Sequence, residues 1–549
     1  MIVLKTRHIV FILLAVLPAL AQQAPFVFGG TVTNAASFVP NDMPGGGIAQ
    51  GSIFTIFGRG IGPAVPVQVS SFPLGPQLAG VSITVRQGST QLSAIPIWVI
   101  ASQINAILPS ATPLGTVSFQ VTYNGQASNW IPMIVVAHAP GVFTAAGYGR
   151  GVTVFQNFVS ATNQPLNSGT VSATPGQAGT LWLTGAGAIA GADGDTPPVG
   201  NLPYQIDIMV GGRPVTQQLY AGRAPGISGL DQFVFYLPSD APTGCFVPLY
   251  VRVNGAVSNS TTVAIMPQGG ACSDAYNPIA AALVQGGKIV DGMLFRASTA
   301  AGQFAGIDTS FSVDKAAVRE MQEAGGQFAF DPFLSLPPQG TCTSYSMNGD
   351  ILTTGVQLSS GGTALNLGAI SVNSAGLSDA LTALQAGLFN TILGGGYPTG
   401  LPLFFGTGTP SLHASGGADG GSFDVPITPG PTLASPNLDA LTNIVRSNDS
   451  GVSWTAQPGV AAFIVGGVYD QPTNTSGLFL CVSAPGASTL LVPSYVLANL
   501  PATRAVPGQG DARLFFSALP SMNETDTPDH IRIFSARQDL TVLAIQSVQ

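Results

Sequence analysis

Ser118-Phe119-Gln120-Val121-Thr122-Tyr123 alternates polar and apolar side chains and runs straight into Asn124-Gly125. The period of two marks a strand with one buried face, and Asn-Gly is the strongest two-residue signal for a β-hairpin. The same design returns at Leu249-Tyr250-Val251-Arg252-Val253 before Asn254-Gly255. Around it a whole order of residues repeats. Gln103, Leu108-Pro109-Ser110, Pro113, Gly115, Asn124-Gly125 and Ser128-Asn129 are matched by Gln232, Leu237-Pro238-Ser239, Pro242, Gly244, Asn254-Gly255 and Ser258-Asn259. Upstream, Gly51-Ser52-Ile53-Phe54 is matched by Gly179-Thr180-Leu181-Trp182. Val81 to Val85 and Gln205 to Val210 add further strands of period two. Several short strands per copy, separated by turns, predict tandem immunoglobulin-like β-sandwich modules over residues 22–145 and 146–267. Neither copy has the Cys…Trp…Cys pattern of antibody domains, so the expected likeness is one of architecture.

Composition supports an all-β chain throughout. Of 549 residues, 69 are Gly and 43 are Pro, both poor in helix interiors, while 45% are hydrophobic. Only 8% are charged, against roughly 25% in an ordinary soluble domain. The formal net charge of −8 argues against nucleic acid or an anionic lipid surface as partner.

The repeated region resembles a known but uncharacterised family. Thr33-Asn34-Ala35-Ala36-Ser37-Phe38, Ile48 to Ile53, Phe57-Gly58, Gln103-Ile104-Asn105 and Ala139-Pro140-Gly141-Val142-Phe143 are similar to the opening of a domain abundant in exported acidobacterial proteins. Ala221 to Gly226 and Gly229-Leu230-Asp231-Gln232 continue the likeness, which covers residues 30–267. In that family the domain usually sits C-terminally, whereas here it is N-terminal. The resemblance implies a paired immunoglobulin-like module of the cell exterior. It implies no activity, and no site residue carries over.

Residues 1–21 read as a secretory signal peptide, with Lys5 and Arg7 before an apolar run from Ile9 to Leu17 and Ala19-Leu20-Ala21 as the cleavage pattern. Beyond it, no apolar stretch is long enough to span a membrane. The expected location is periplasmic, cell-surface or extracellular. Cys245, Cys272, Cys342 and Cys481 are an even set in an exported chain, which predicts two disulfides among three possible connectivities. None has the CxxC spacing of a zinc or redox site.

After a linker at residues 268–275, residues 276–549 read as a larger β-sandwich domain with a helical insertion. Val284 to Phe295, Phe304 to Val313, Gly355 to Leu358, Leu365 to Val372 and Ala461 to Val468 are strand-like. Ser312 to Ala324 and Ser378 to Leu393 are the helical candidates. Leu377, Leu381, Leu384 and Leu388 in the latter recur at spacings of one helical face. A weaker likeness to C-terminal segments of related exported proteins covers residues 340–510, through Gly416 to Phe423, Val452-Ser453-Trp454, Leu480-Cys481 and Val492 to Leu497.

Tools for catalysis are scarce. His138, His413 and His530 lie in no GxSxG or HExxH setting, and His413 is the most suggestive, with Asp419 nearby. Lys288 and Lys315 are the lysines outside the signal segment, and no phosphate-binding loop or dinucleotide fingerprint occurs. Glu320 and Glu323 share a face of the expected helix rather than flanking a cleft, which argues against a glycosidase. No cofactor is expected. Asp193-Gly194-Asp195 offers a weak calcium candidate in Asp193 and Asp195. Trp130 and Trp454 are the weak ligand-binding candidates, whereas Trp98 and Trp182 lie in apolar runs. The expected function is a non-enzymatic surface or extracellular interaction scaffold, an adhesion protein. A carbohydrate-binding accessory protein and a hydrolase with its site in the C-terminal domain are the alternatives.

Overall fold

The computed structural model describes residues 24–41, 43–300, 303, 310–350, 362–395, 403–502 and 512–549. The signal segment at 1–21, the strand expected at 355–358 and residues 304–309 of another lie outside them. The described chain is all-β, with short helices only.

The first sandwich is a single curled sheet of eleven strands. Its two layers share the strand Thr90–Ile100, which pairs with Val81–Gln87 as far as Ala94 and with Gln103–Ile107 from Ile95 on, with an irregularity between Pro96 and Trp98 in the second ladder. The layers close on Phe54 and Phe119, whose rings lie 5.2 Å apart. The second sandwich has two five-stranded sheets, one built on Ala178–Thr184 and Asp231–Tyr236 and the other on Gly244–Val253. Gly141–Val142 already pairs with the first of these, so the second module begins ahead of the boundary expected at 145.

The repeated residues hold the same posts in both modules. Asn124-Gly125 and Asn254-Gly255 turn their hairpins with positive φ at both residues (49° and 79°, 44° and 88°), the geometry of a type I′ turn. Ser128 Oγ accepts the Val121 amide and Ser258 Oγ accepts the Val251 amide. Asn129 then grips both backbone groups of Val27 at 2.9 and 3.0 Å, and Asn259 grips Val142 at 2.8 and 3.0 Å. Each Ser-Asn thus closes its sandwich onto its own first strand. An alternation pattern cannot make that connection by itself.

The C-terminal region is organised by a second eleven-stranded sheet. At its centre Gly287–Thr299 runs parallel to Ile531–Ala544 and antiparallel to Phe311–Glu323. One face is covered. A four-stranded sheet containing Ile370–Ser374 and Ser411–Ala414 packs on Val290, Leu294, Ala316 and Val318. The three-stranded sheet containing Ser450–Thr455 packs on Ile464, Leu514 and Phe516.

Both expected helices are strands. Ser312 to Ala324 lies almost wholly within Phe311–Glu323, in continuous register with Gly287–Thr299. Its Ala, Lys, Glu and Arg favour helix in isolation, but tertiary pairing overrides such a preference. Asp314, Ala316, Val318 and Glu320 are buried at every second position, and Asp314 is held by Arg296 directly opposite at 2.8 and 3.0 Å. The leucine spacing over 377–388 is equally misleading. It falls across three short strands, Leu377–Ala380, Ala383–Gln385 and Leu388–Ile392, with Leu377 and Leu384 exposed and Leu381 buried. The longest helix among the described residues, Ile279–Gln285, lies ahead of the run expected as strand from Val284 and takes only its first two residues.

The units are joined by buried polar contacts. Arg223 of the second module reaches the carbonyl of Gly51 in the first, and Ser110 is bound by Asp193 across the same junction. Ser260 pairs with Thr343, Tyr250 with Ser344, and Asn499 donates to the Ser258 carbonyl, tying the second module to the C-terminal region.

Candidate functional site

The cysteines form Cys245–Cys272 and Cys342–Cys481, choosing one of the three connectivities. Asp193 is spent on the junction: its oxygens accept the Ser110 amide at 2.8 Å and the Ser110 hydroxyl at 2.6 Å. Asp195 lies in the same turn, where its carbonyl accepts the Ser228 hydroxyl. Among the described residues, no group of three or more His, Cys, Asp or Glu is placed to hold a metal ion. Trp130 is 36% exposed, with the Arg86 guanidinium stacked 4.7 Å from its ring centre. Trp454 is a correction: it is 5% exposed, packed on Phe516 in the core, because its strand turns alternate residues inward. The two tryptophans and Asp193 therefore build no common surface.

The histidines are similarly dispersed. His138 sits at the module junction, its Nδ1 2.8 Å from the Ala186 carbonyl and its Nε2 3.0 Å from the side-chain amide nitrogen of Asn254. His413 lies between Ser371 and Asp424 on adjacent strands, yet among the described residues no side-chain hydrogen bond joins the three. His530 is in an exposed turn at φ 58°. Glu320 and Glu323 do not share a face, since an odd spacing on a strand points them to opposite sides.

What the structure does assemble is a groove on the uncovered face of the large central sheet. Two connected hollows of about 350 and 270 Å³ share Phe295, Ala317, Asn390, Phe463, Val465 and Gln538 in their walls. The larger of them falls in the range of small-molecule sites. The floor is supplied by alternate residues of the central strands: Asp291, Met293 and Phe295 on one, Lys315, Ala317 and Arg319 on its neighbour. Ile279, at the start of the short helix, and the Asp331–Leu336 segment wall one end. Period-two alternation explains why the same strands can present Val290, Leu294 and Val318 to the covered face and an apolar, half-buried row to the groove.

Charged groups stand at two stations, with Asn390 and Gln538 between them. At the walled end, Asp291 lies opposite Arg319, which is bound by Asp331 and, at 2.9 Å, by Glu323. Asp331 in turn accepts the amides of Phe333 and Leu334, which shapes that wall. Asp291 is buried and its Oδ1 has no hydrogen-bond partner among the described residues. Burial pushes its carboxyl up to about 7, against the pull of Arg319 and helped by the charge of Asp331. At the second station Lys315 faces Phe295 across the strand pair. Burial and the nearby Arg513 hold its ammonium below the usual lysine range.

The raised carboxyl has a consequence for stability. An unfolded aspartate releases its proton near pH 3.9, whereas folded Asp291 keeps it to about 7. Over that interval the folded chain holds a proton that the unfolded chain has lost, so Asp291 weakens the fold as pH rises from about 4 to about 7. Asp291→Asn, neutral at every pH, is expected to gain several degrees in Tm relative to the parent between pH 5 and 7.5. A Tm difference that stays flat over this range contradicts the assignment.

Sequence reading missed this site because its strand Phe311–Glu323 was read as helix. The available signal was the alternation Asp314, Ala316, Val318, Glu320, masked by residues that favour helix. The other wall, Phe463 and Val465, comes from strand Ala462–Asp470, far along the chain.

No family model matches the chain, and no curated protein gives a significant match. Among solved structures, the plexin A4 extracellular region is 11% identical with a TM-score of 0.16, over 42% of this chain; the chain spans only 17% of that protein. Tandem domains from titin are 8% identical with a TM-score of 0.14, covering 73% of this chain and 93% of theirs. A protein of the Bacteroides ovatus mixed-linkage glucan utilization locus, solved with a mixed-linkage heptasaccharide, is 10% identical with a TM-score of 0.12, covering 85% of this chain and 96% of its own. None reaches the level at which a common topology follows.

Proposed function

We propose that this chain is an exported, non-enzymatic binding scaffold: two immunoglobulin-like modules that carry a larger β domain with an apolar ligand groove. The observation that carries the reading is the groove itself, a half-buried row of Phe295, Phe463, Phe515 and Met293 left uncovered on a sheet whose other face is packed. A contiguous apolar surface of this kind marks a binding site more often than an ordinary surface. Two disulfides support an oxidising compartment. Among the described residues no helix is long and apolar enough to cross a membrane. We also read the modules as members of the exported acidobacterial domain family, on the residues quoted above.

A neutral, environment-sensitive dye such as Nile red tests the groove. The parent chain is expected to raise and blue-shift the dye's emission, and Phe463→Asp to reduce binding at least about tenfold by placing a charge among the apolar walls. An emission unchanged by the parent chain, or an undiminished response from the variant, removes the groove as the binding site.

A further inference from the structure

The two polar stations of the groove differ in one respect that bears on its ligand. At the walled end, Arg319 is neutralised by Asp331 and Glu323. Lys315 has no such counter-ion: it makes no hydrogen bond or ion pair with any described residue, although it is half-buried. Its cross-strand neighbours are Phe295 and Ile392, both apolar. The charge that acts on it is Arg513, a second cation. The Lys315 stem is half-buried among these apolar side chains while the ammonium stays open to the groove, where it has no anionic partner among the described residues.

The rest of the groove fixes what such a partner must look like. From Lys315 the floor runs over Ala317, Phe295 and Met293 towards Asp291, four strand residues or about 13 Å away. Phe463 and Val465 form the side wall. A ligand filling it needs an apolar body of roughly that length and one anionic end. At the far end the carboxyl of Asp291, with Oδ1 unpartnered, suits a neutral or weakly polar terminus rather than a second anion.

We propose that the groove holds an amphipathic carboxylate, its head group paired with Lys315 and its apolar chain laid over Phe295, Met293 and Phe463 towards Asp291. This rests on the groove being the binding site, and the experiment separates the two claims. Decanoate, decanol and decyltrimethylammonium are titrated calorimetrically into the full chain below their aggregation limits. Decanoate is expected to bind at least about tenfold more tightly than decanol, since a hydrogen bond to a charged group in a partly desolvated site is worth that factor. The cationic amphiphile is expected to bind more weakly than decanol. Lys315→Met, which keeps an unbranched apolar stem, is expected to erase the preference for decanoate while leaving decanol unchanged. Lys315→Arg is expected to retain it, and serves if the methionine variant fails to fold. Phe463→Asp is expected to weaken both. Equal affinity for decanoate and decanol, or an unaltered preference in Lys315→Met, overturns the head-group assignment and leaves the groove standing. If neither these amphiphiles nor Nile red binds, both claims fall together.

Discussion

Asp231→Ala is expected to destabilise the paired modules by about 3–5 kcal/mol, the cost of leaving one member of a buried ion pair uncompensated. Arg223 and Asp231 are 1% and 0% exposed. Arg223 donates from Nη1 to Asp231, and from Nη2 to the carbonyls of Gly187 and Gly51, so one guanidinium spans both modules. Asp231 also accepts the Ala186 amide at 2.9 Å. Removing the carboxylate strands a positive charge in a site without water access and frees an amide as well. Hydrogen exchange in the strand Asp231–Tyr236 measures the loss locally. The double change Arg223→Met with Asp231→Leu is expected to recover most of it, because apolar replacement avoids the desolvation penalty. A single variant within about 1 kcal/mol of the parent would show that the pair is solvated and does not join the modules.

The second large effect concerns Cys342–Cys481. These residues face each other in register on strands Thr341–Asn348 and Thr475–Val482, and the bond closes a separation of 139 residues. The chain-entropy relation gives about 5 kcal/mol for a loop of that size, against about 3.5 for the separation of 27 closed by Cys245–Cys272. Replacing both Cys342 and Cys481 by Ala is therefore expected to lower the Tm of the C-terminal region more than the corresponding double change lowers that of the second module. Calorimetry of the full-length chain resolves the two. The opposite order would mean that native packing around the sulfurs, not restriction of the unfolded chain, sets their worth.

The two halves of the molecule were unequally legible. In the first half, local signals and tertiary structure agree. Strand alternation, Asn-Gly turns and a repeated residue order all describe the same hairpins, and the repeat extends to Ser-Asn clamps whose partners lie about a hundred residues away. In the second half they conflict. Phe311–Glu323 carries helix-favouring residues yet lies in a sheet interior, because Arg296, opposite in register, neutralises Asp314, while Asp331 and Glu323 satisfy Arg319. None of these pairings leaves a periodic trace. Trp454 was misplaced for a related reason: one residue's shift in strand phase exchanges core for solvent.

Sequence by itself determined the all-β class, the repeated modules and the turns that close their hairpins, since period-two hydrophobicity and left-handed Asn-Gly conformations are local properties of the chain. Only the tertiary structure decided which cysteines join and that Asp193 locks a junction instead of standing free. It also left one face of the central sheet open, with Lys315 upon it unpaired among the described residues. These features depend on which strands become neighbours. That choice rests on burial and charge compensation between segments distant in sequence, which no local pattern records.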